Sequence, residues 1–170
     1  MPTKFNKELW EYGRRVEDMA LPIVNKLYEC DFKRNDNDIF DVLDFRDEEK
    51  KKIVEVKGRR INSNQYEKTI ITSAKVTKAF MEIDNGWEVY FVFVFLDKMF
   101  RFQLKEDSEF ECKFTGTACI QHYLIPIKDM TEITEDEIKD SVVQDPHPPH
   151  QSDESHQSGS WSVDSGVQGF

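Results

Sequence analysis

The stretch Lys52-Ile-Val-Glu-Val-Lys-Gly-Arg-Arg60 decides the fold of this chain, together with Asn37-Asp-Ile-Phe-Asp-Val-Leu-Asp-Phe45 before it. Both segments are rich in Ile, Val, Leu and Phe. The polar run 46–51 separates them, which predicts two antiparallel strands joined by a turn. Because side chains alternate along a strand, Glu55 and Lys57 should share one face, and the two neighbouring valines the other.

Other patterns predict the elements around this strand pair. Apolar residues three and four apart predict amphipathic helices over 6–29, with a kink or a second half at Pro22, and over 72–83. The segment 87–96 is almost continuously apolar and predicts a central strand buried on both faces. A capping-box sequence at Thr134 predicts a short final helix. Shorter strands are predicted at 30–33, 99–104, 110–114 and 123–127. One mixed sheet flanked by helices defines an α/β or α+β class.

The composition divides the chain into a body and an acidic tail. Of the 170 residues, positions 1–130 carry 22 basic and 24 acidic residues, whereas positions 131–170 carry one Lys and nine acids. Most of the formal charge of −10 therefore belongs to the tail. The predicted organisation is one domain over 1–130, a short acidic helix over 131–143, and a disordered acidic tail over 144–170, which has few apolar residues.

Positive charge is concentrated between Lys50 and Lys78, where nine basic residues accompany only two acids, Glu55 and Glu67. A local charge of +7 can attract phosphates even in an acidic protein. A solvated surface without a partner is the alternative that a lysine-rich run leaves open.

The cysteines and the apolar runs indicate the compartment. Three cysteines are an odd number without paired spacing, which favours a reducing environment. The N-terminus has no recognisable signal peptide, and no apolar run is long enough to cross a bilayer. We therefore expect a soluble, intracellular (cytoplasmic) protein without a membrane partner.

Asp41, Glu55 and Lys57 supply groups that metal-assisted cleavage of a phosphodiester needs. The reaction requires an activated water and neutralisation of the charge that develops on the phosphoryl oxygens, and a divalent metal held by carboxylates supplies both. Mg²⁺, or alternatively Mn²⁺, takes oxygen ligands, so Asp41 and Glu55 form a sufficient protein shell, with the carbonyl of Val56 as a third ligand. Lys57 can hold the attacking water or offset developing charge.

In these residues the chain resembles the PD-(D/E)XK nuclease superfamily, whose fold is shared by many restriction enzymes, Holliday junction resolvases and recombination exonucleases. The matching pattern is Asp41 followed after fourteen residues by Glu55-Val56-Lys57, on a strand pair between two helices. The resemblance implies a restriction-endonuclease-like core and a metal-dependent nuclease acting on DNA, in repair, recombination or replication. It also implies a homodimer as one assembly state.

The chain departs from the family pattern at two places. Phe40 stands where the name-giving proline would be, and Gln65-Tyr66 does not reproduce the Q-x-x-x-Y motif of the helicase-linked members. The resemblance therefore rests on the acidic residues and the lysine, with the order of elements around them.

Two further acids have alternative roles. Glu17 lies on a mostly apolar or small face of the first predicted helix, where a carboxylate is costly unless it is paired or bound to metal. The resemblance implies that Glu17 is an outer acid of the site, and a salt bridge to Lys57 or to an arginine is the alternative.

Asp44 is the alternative to Asp41 as the first acid of the pattern, upstream of Glu55. Strand alternation places it opposite Asp41, so it is excluded if Asp41 shares the face of Glu55.

Contacts with the nucleic-acid backbone are expected from basic residues after the E-x-K segment and on the outer face of the second helix. Such contacts bind phosphates and do not read bases, so sequence specificity is not predicted. The candidates are Arg59, Arg60, Lys68, Lys75 and Lys78.

Two other classes of function are open. The same fold can bind nucleic acid or assemble with proteins without catalysis, and would then show salt-sensitive DNA binding. Alternatively, the acidic tail over 144–170 docks in the basic groove of a protein partner.

Overall fold

A computed structural model describes residues 6–34, 43–116 and 119–142 of the chain. Helices and strands alternate along these ranges in the order expected for an α/β or α+β domain. The elements are α1 (Lys7–Tyr28), β1 (Lys33–Arg34), β2 (Phe45–Asp47), β3 (Lys52–Gly58), β4 (Lys68–Thr72), α2 (Ser73–Asp84), β5 (Glu88–Val94), β6 (Met99–Leu104), β7 (Glu111–Thr115), β8 (Ile120–Pro126), a 3₁₀ turn (Ile127–Asp129), β9 (Thr131–Ile133) and α3 (Glu135–Val142).

Six strands form a mixed sheet in the order β1-β2-β3-β5-β6-β9. Strands β2 and β3 are antiparallel, with Phe45 opposite Val54, whereas β3 and β5 are parallel, with Glu55 opposite Phe91. Between them the chain passes through β4 and α2, the crossover that a parallel pair requires. Strand β5 lies between two partners and is largely buried, which confirms the central strand predicted over 87–96.

A second, antiparallel sheet in the order β4-β8-β7 was not predicted. The mixed sheet is confirmed, but the prediction of a single sheet is wrong. Strand β4 is short and leads directly into α2, and its partner lies far along the chain, since Lys68 pairs with Pro126. The inner face of this sheet contributes Ile71 and Ile125 to the core beneath α2.

The two faces of the six-stranded sheet carry separate cores. On one face, α1 buries Ala20 and Val24 against Val54 and Val56, and Ile138 of α3 packs beside them. On the other face, α2 and the second sheet pack on the remaining side chains of β3 and β5. Strand β3 therefore lies between two apolar layers, and so do its polar residues Glu55 and Lys57.

The predicted helices are present with nearly the predicted bounds. Helix α1 begins after Asn6, whose side chain accepts a hydrogen bond from the Leu9 N–H at 3.1 Å, and it contains Pro22 in its second half. Helix α2 ends before Gly86, whose φ of 84° suits glycine and stops the helix. No described helix is long and apolar enough to cross a membrane.

The bounds of the first strand of the deciding pair differ from the prediction. Residues 45–47 already belong to β2, so the turn is 48–51 and part of the polar run is extended. The earlier part of the predicted strand, including Asp41, lies outside the described residues, as does the tail over 144–170.

Candidate functional site

Glu55 and Lys57 lie on the face of β3 that points toward α2 and the second sheet. Their neighbours Val54 and Val56 pack in the α1 core, which confirms the predicted alternation. Glu55 is 0 % exposed and lies opposite Phe91 in the parallel ladder. A carboxylate in such surroundings must be compensated by partners, because burying an isolated charge is very costly.

Two lysines provide this compensation. The Nζ atom of Lys57 lies 2.7 Å from Oε1 of Glu55. The Nζ atom of Lys75 lies 2.7 Å from Oε1 and 2.8 Å from Oε2 of the same carboxylate. One buried carboxylate therefore binds two ammonium groups.

Lys75 was predicted on the outer face of the second helix, and this orientation is wrong. Its side chain is only 19 % exposed and points from the first turn of α2 toward Glu55. A signal was present in the sequence: Lys75 precedes the buried Ala79 by four residues and so flanks the buried stripe of the helix. Lys75 was predicted as a surface charge that contacts phosphates, and its contact with Glu55 was not predicted.

Lys57 and Lys75 form a cluster with the buried Glu55, and Asp44 is the acid that the structure brings to it. Its Oδ2 accepts a hydrogen bond from the Val56 N–H at 2.8 Å, and its Oδ1 lies 3.6 Å from Nζ of Lys75. Strand β2 begins only at Phe45, so the Asp44 carboxylate takes the place of a strand partner for Val56. Strand alternation does not govern a residue in a bend, which is why Asp44 reaches this side. The predicted role of Asp41 stays a prediction, since it lies outside the described residues.

The electrostatics of the cluster centre on Glu55. Burial raises its pKa from 4.5 to about 7; the charge of Lys57 opposes the rise, Asp44 adds to it, and Lys75 opposes it. Burial acts against the charge of Lys57, but Glu55 and Asp44 outweigh it and raise the pKa of the lysine. Glu55 thus exchanges a proton near neutral pH while Lys57 remains charged.

Glu17 lies on α1, on the other side of the sheet from Glu55. Its Oε2 is 2.5 Å from Nη1 of Arg34 and 3.7 Å from Nη1 of Arg14. The arginine salt bridge is therefore present, and its predicted role as an outer acid of the site stays a prediction. Burial raises the pKa of Glu17, and the negative charge of Asp44 adds to this shift, so Asp44 acts on both Glu17 and Glu55.

Arg59 was predicted to contact phosphates, and its guanidinium joins the two sheets. It donates to Oγ1 of Thr69 at 2.9 Å and to the carbonyl of Ile70, both in β4. The guanidinium also lies 5.6 Å from the centroid of the Phe93 ring. These contacts hold the end of β3 against β4.

The three remaining predicted phosphate ligands have carboxylate partners. Arg60 also stacks over the ring of Tyr12, 4.6 Å from its centroid. Much of the local positive charge is therefore compensated by acids that lie elsewhere in the sequence. The ion pairs are Arg60 with Glu8, Lys68 with Glu111, and Lys78 with Glu82.

Two pockets open beside Lys57. The larger, which we call the basic pocket, has a volume of about 690 Å³. The smaller, of about 350 Å³, lies toward α1 and includes Glu17 and Val56. Lys57 and Arg59 line both pockets, and Lys57 also contacts the buried Glu55. The basic pocket is lined by Lys57, Arg59, Ile61, Tyr66, Glu67, Lys68, Thr69, Ile70, Ile71, Thr72, Lys113, His122 and Leu124.

The two carboxylates of the cluster are oxygen donors, which suit a hard divalent cation, and two is a small number of protein ligands for such an ion. Glu55 and, nearby, Asp44 are the carboxylates of the cluster, and the Nζ atoms of Lys57 and Lys75 both lie 2.7 Å from Oε1 of Glu55. Mg²⁺ commonly uses one or two carboxylates with waters and substrate oxygens. Within the described ranges there is no group of three or more His, Cys, Asp and Glu that could hold a metal.

Comparison of the chain with protein-family models, curated proteins and solved structures finds no match.

Proposed function

We propose that this domain is a metal-dependent nuclease that hydrolyses phosphodiester bonds in DNA, with a restriction-endonuclease-like core. The observation that carries the proposal is the wholly buried carboxylate of Glu55 beside Asp44, held by Lys57, which itself lines the basic pocket. Ionisable groups with shifted pKa values beside a cleft are typical of catalytic sites.

The residues of the cluster have separate roles in this proposal. Asp44 and Glu55 would hold Mg²⁺ or Mn²⁺, with Asp41 as the alternative first acid and the Val56 carbonyl as a further ligand. The metal, when bound, activates water and offsets charge on the phosphoryl oxygens. Lys57 stays charged and offsets the negative charge that develops beside it.

Lys75 has a distinct role because it binds both oxygens of Glu55. It neutralises and orients the carboxylate from the side of α2. Since two ammonium groups already surround Glu55, any cation that binds there must displace at least one of them. We expect Lys75→Ala to strengthen metal binding and Lys57→Ala to weaken cleavage at saturating metal.

The test is cleavage of plasmid and end-labelled linear DNA with Mg²⁺ or Mn²⁺, compared with EDTA. Glu55→Gln and Lys57→Ala should each lower the rate by about 100-fold or more, the usual size for loss of one electrostatic catalytic group. Glu82→Gln is the matched control. Glu82 lies on α2, two turns after Lys75, and it is also buried and paired with basic residues, namely Lys78 and Arg46. Full activity in Glu55→Gln contradicts the proposal.

Asp41→Asn and Asp44→Asn, assayed in parallel, identify the first acid. We expect the larger loss from Asp44→Asn, because Asp44 acts on the pKa of Glu55. Circular dichroism of both variants separates loss of folding from loss of chemistry, which matters since Asp44 also binds the Val56 N–H.

A second function, nucleic-acid binding without catalysis, is favoured by one observation. Both lysines of the cluster are satisfied by Glu55, as in a purely structural ion-pair network. In that case DNA binding persists in Glu55→Gln, and no products form at any metal concentration.

A further inference from the structure

The basic pocket combines an apolar lining with positive charge. Its floor is the outer face of the second sheet, where Ile70 of β4 lies opposite Leu124 of β8. Its wall is the segment after β3, which contributes Ile61 and Tyr66. Its volume of about 690 Å³ is in the range of pockets that enclose small organic groups. The pocket therefore suits a ligand with a flat, apolar part and an anionic part.

Tyr66 is the exposed aromatic residue of this pocket. It is 60 % exposed, and within the part of the chain that the structure describes no ring stacks on it and no group hydrogen-bonds to its hydroxyl. An accessible aromatic ring beside cations is the arrangement on which proteins stack the bases of single strands.

The charges of the pocket favour phosphate. Four cationic residues line it, and Glu67 is the acid among the lining residues. Lys113 makes no ion pair with any described residue, and the Lys68 pair with Glu111 is solvent-exposed, so it contributes little and is readily exchanged. Lys113 lies opposite His122 in the ladder, on the pocket side of the sheet.

We propose that the basic pocket binds a single-stranded segment of DNA, with one unpaired base stacked on Tyr66 and its phosphates at Lys113 and Lys68. The strand then continues toward Lys57 and Glu55. This inference rests on the proposed nuclease function and names its substrate class: single strands, overhangs and flaps. Bases within a duplex are paired and stacked, so they do not offer a free face to a protein ring.

The test measures binding to the full-length protein in EDTA, where no metal-dependent cleavage occurs. Fluorescence anisotropy compares a labelled single-stranded oligonucleotide with the blunt duplex of the same sequence. We expect the single strand to bind at least about tenfold more tightly. Tyr66→Ala should weaken its binding roughly 5- to 150-fold, the range for loss of one base stack, and Tyr66→Phe should retain it.

Matched controls separate stacking and charge from general surface effects. Phe114 is similarly exposed, at 64 %, on the same small sheet but outside the pocket lining, so Phe114→Ala should not change binding. The salt dependence of single-strand binding is the slope of the logarithm of the binding constant against the logarithm of the salt concentration. Lys113→Ala should lower the magnitude of this slope by roughly 0.7. Lys105→Ala, at another exposed position, should leave that slope unchanged.

Three outcomes overturn the inference. These are equal affinity for duplex and single strand, equal effects of Tyr66→Ala and Phe114→Ala, and binding of an acidic peptide of sequence 144–170 that depends on Tyr66 while oligonucleotide binding does not. If binding to single strands depends on Tyr66 but no DNA is cleaved with metal, the inference stands and the nuclease proposal fails. If DNA is cleaved through Glu55 without dependence on Tyr66, only the inference fails.

Discussion

Glu55 keeps a raised pKa although two lysines bind it, because burial destabilises its charge more than the ammonium groups stabilise it. The carboxylate is thus balanced between two protonation states near pH 7. Metal ligands must be deprotonated, so the same balance makes the proposed metal affinity increase as the pH rises through this range.

The pH dependence of stability follows from this shift. Because the folded-state pKa of about 7 exceeds the ordinary value of 4.5, the native state binds more protons than the unfolded state between these values. The free energy of unfolding should therefore fall as pH rises through that window, by on the order of 1–3 kcal/mol more in the wild type than in Glu55→Gln. Urea denaturation of both proteins across this range measures the difference.

A second variant checks the direction of this effect. Lys57→Met removes the cation that most strongly lowers the pKa of Glu55, so the window of falling stability should keep its lower limit and extend to higher pH. Parallel stability curves of wild type and Glu55→Gln between pH 4.5 and 7 would show that the pKa of Glu55 is not raised.

Gly58 ends β3 where α1 crosses it closely. An added Cβ would lie 2.8 Å from Cε1 of Tyr12, so that something must shift, and 3.0 Å from Cγ2 of Val16, which is a tight contact. We expect Gly58→Ala to lower the free energy of unfolding by about 1–3 kcal/mol through overpacking. Thermal and urea denaturation measure this change.

Gly13, in the interior of α1, is the matched control for Gly58. Nothing lies within 4 Å of a Cβ at this position. Gly13→Ala should therefore raise stability by about 0.5–1 kcal/mol through helix propensity. Changes of the same sign in both variants would contradict the close approach of β3 and α1.

At the scale of elements, the spacing of apolar residues predicted those helices and strands that a single segment of sequence determines. Helix α1, helix α2 and the central strand were recognisable from apolar spacing within single segments. Strands β4 and β9 were missed because they are short and are stabilised by distant partners, as the pairing of Lys68 with Pro126 illustrates.

The same distinction applies to the candidate site. Glu55 and Lys57 were found because both lie on one strand with period-two spacing. Lys75 was missed as a site residue because helical spacing places it only at the border of the buried stripe, and its contact with Glu55 depends on how α2 packs on the sheet. The lining of the basic pocket, including Tyr66 and Lys113, depends on the unpredicted second sheet.

Helix α3 begins with a complete capping box. Oγ1 of Thr134 accepts from the Glu137 N–H at 3.3 Å, and Oε2 of Glu137 accepts from the Thr134 N–H at 2.7 Å. Thr134→Ala should lower the free energy of unfolding by about 1 kcal/mol, because α3 packs on α1 and unfolds with the core.

Urea denaturation measures the effect of Thr134→Ala, with Asp140→Ala as a control. Asp140 lies on the exposed part of the same helix, and its replacement should change stability by less than about 0.5 kcal/mol. Equal effects of the two substitutions would indicate that the capping box does not stabilise α3.

At the scale of the whole molecule, folding redistributes the charge that the sequence concentrates. Most basic residues between Lys50 and Lys78 have a carboxylate partner in the folded protein, and these partners largely come from outside that window. They include Glu8, Asp44, Glu82, Glu88 and Glu111. The surface that remains available to phosphates is therefore smaller than a local charge of +7 suggests.

The salt dependence of DNA binding measures how many cations engage phosphates. Each neutralised phosphate of a single strand adds about 0.7 to the magnitude of the log–log slope, so engagement of all nine basic residues would give a slope near −6. We expect a magnitude of about 4 or less, because Lys57, Lys75 and Arg59 are held by internal partners and only the other six basic residues would add about 0.7 each. Anisotropy titrations at several salt concentrations measure the slope. A slope near −6 would mean that DNA displaces these internal ion pairs, and the cluster around Glu55 would then rearrange on binding.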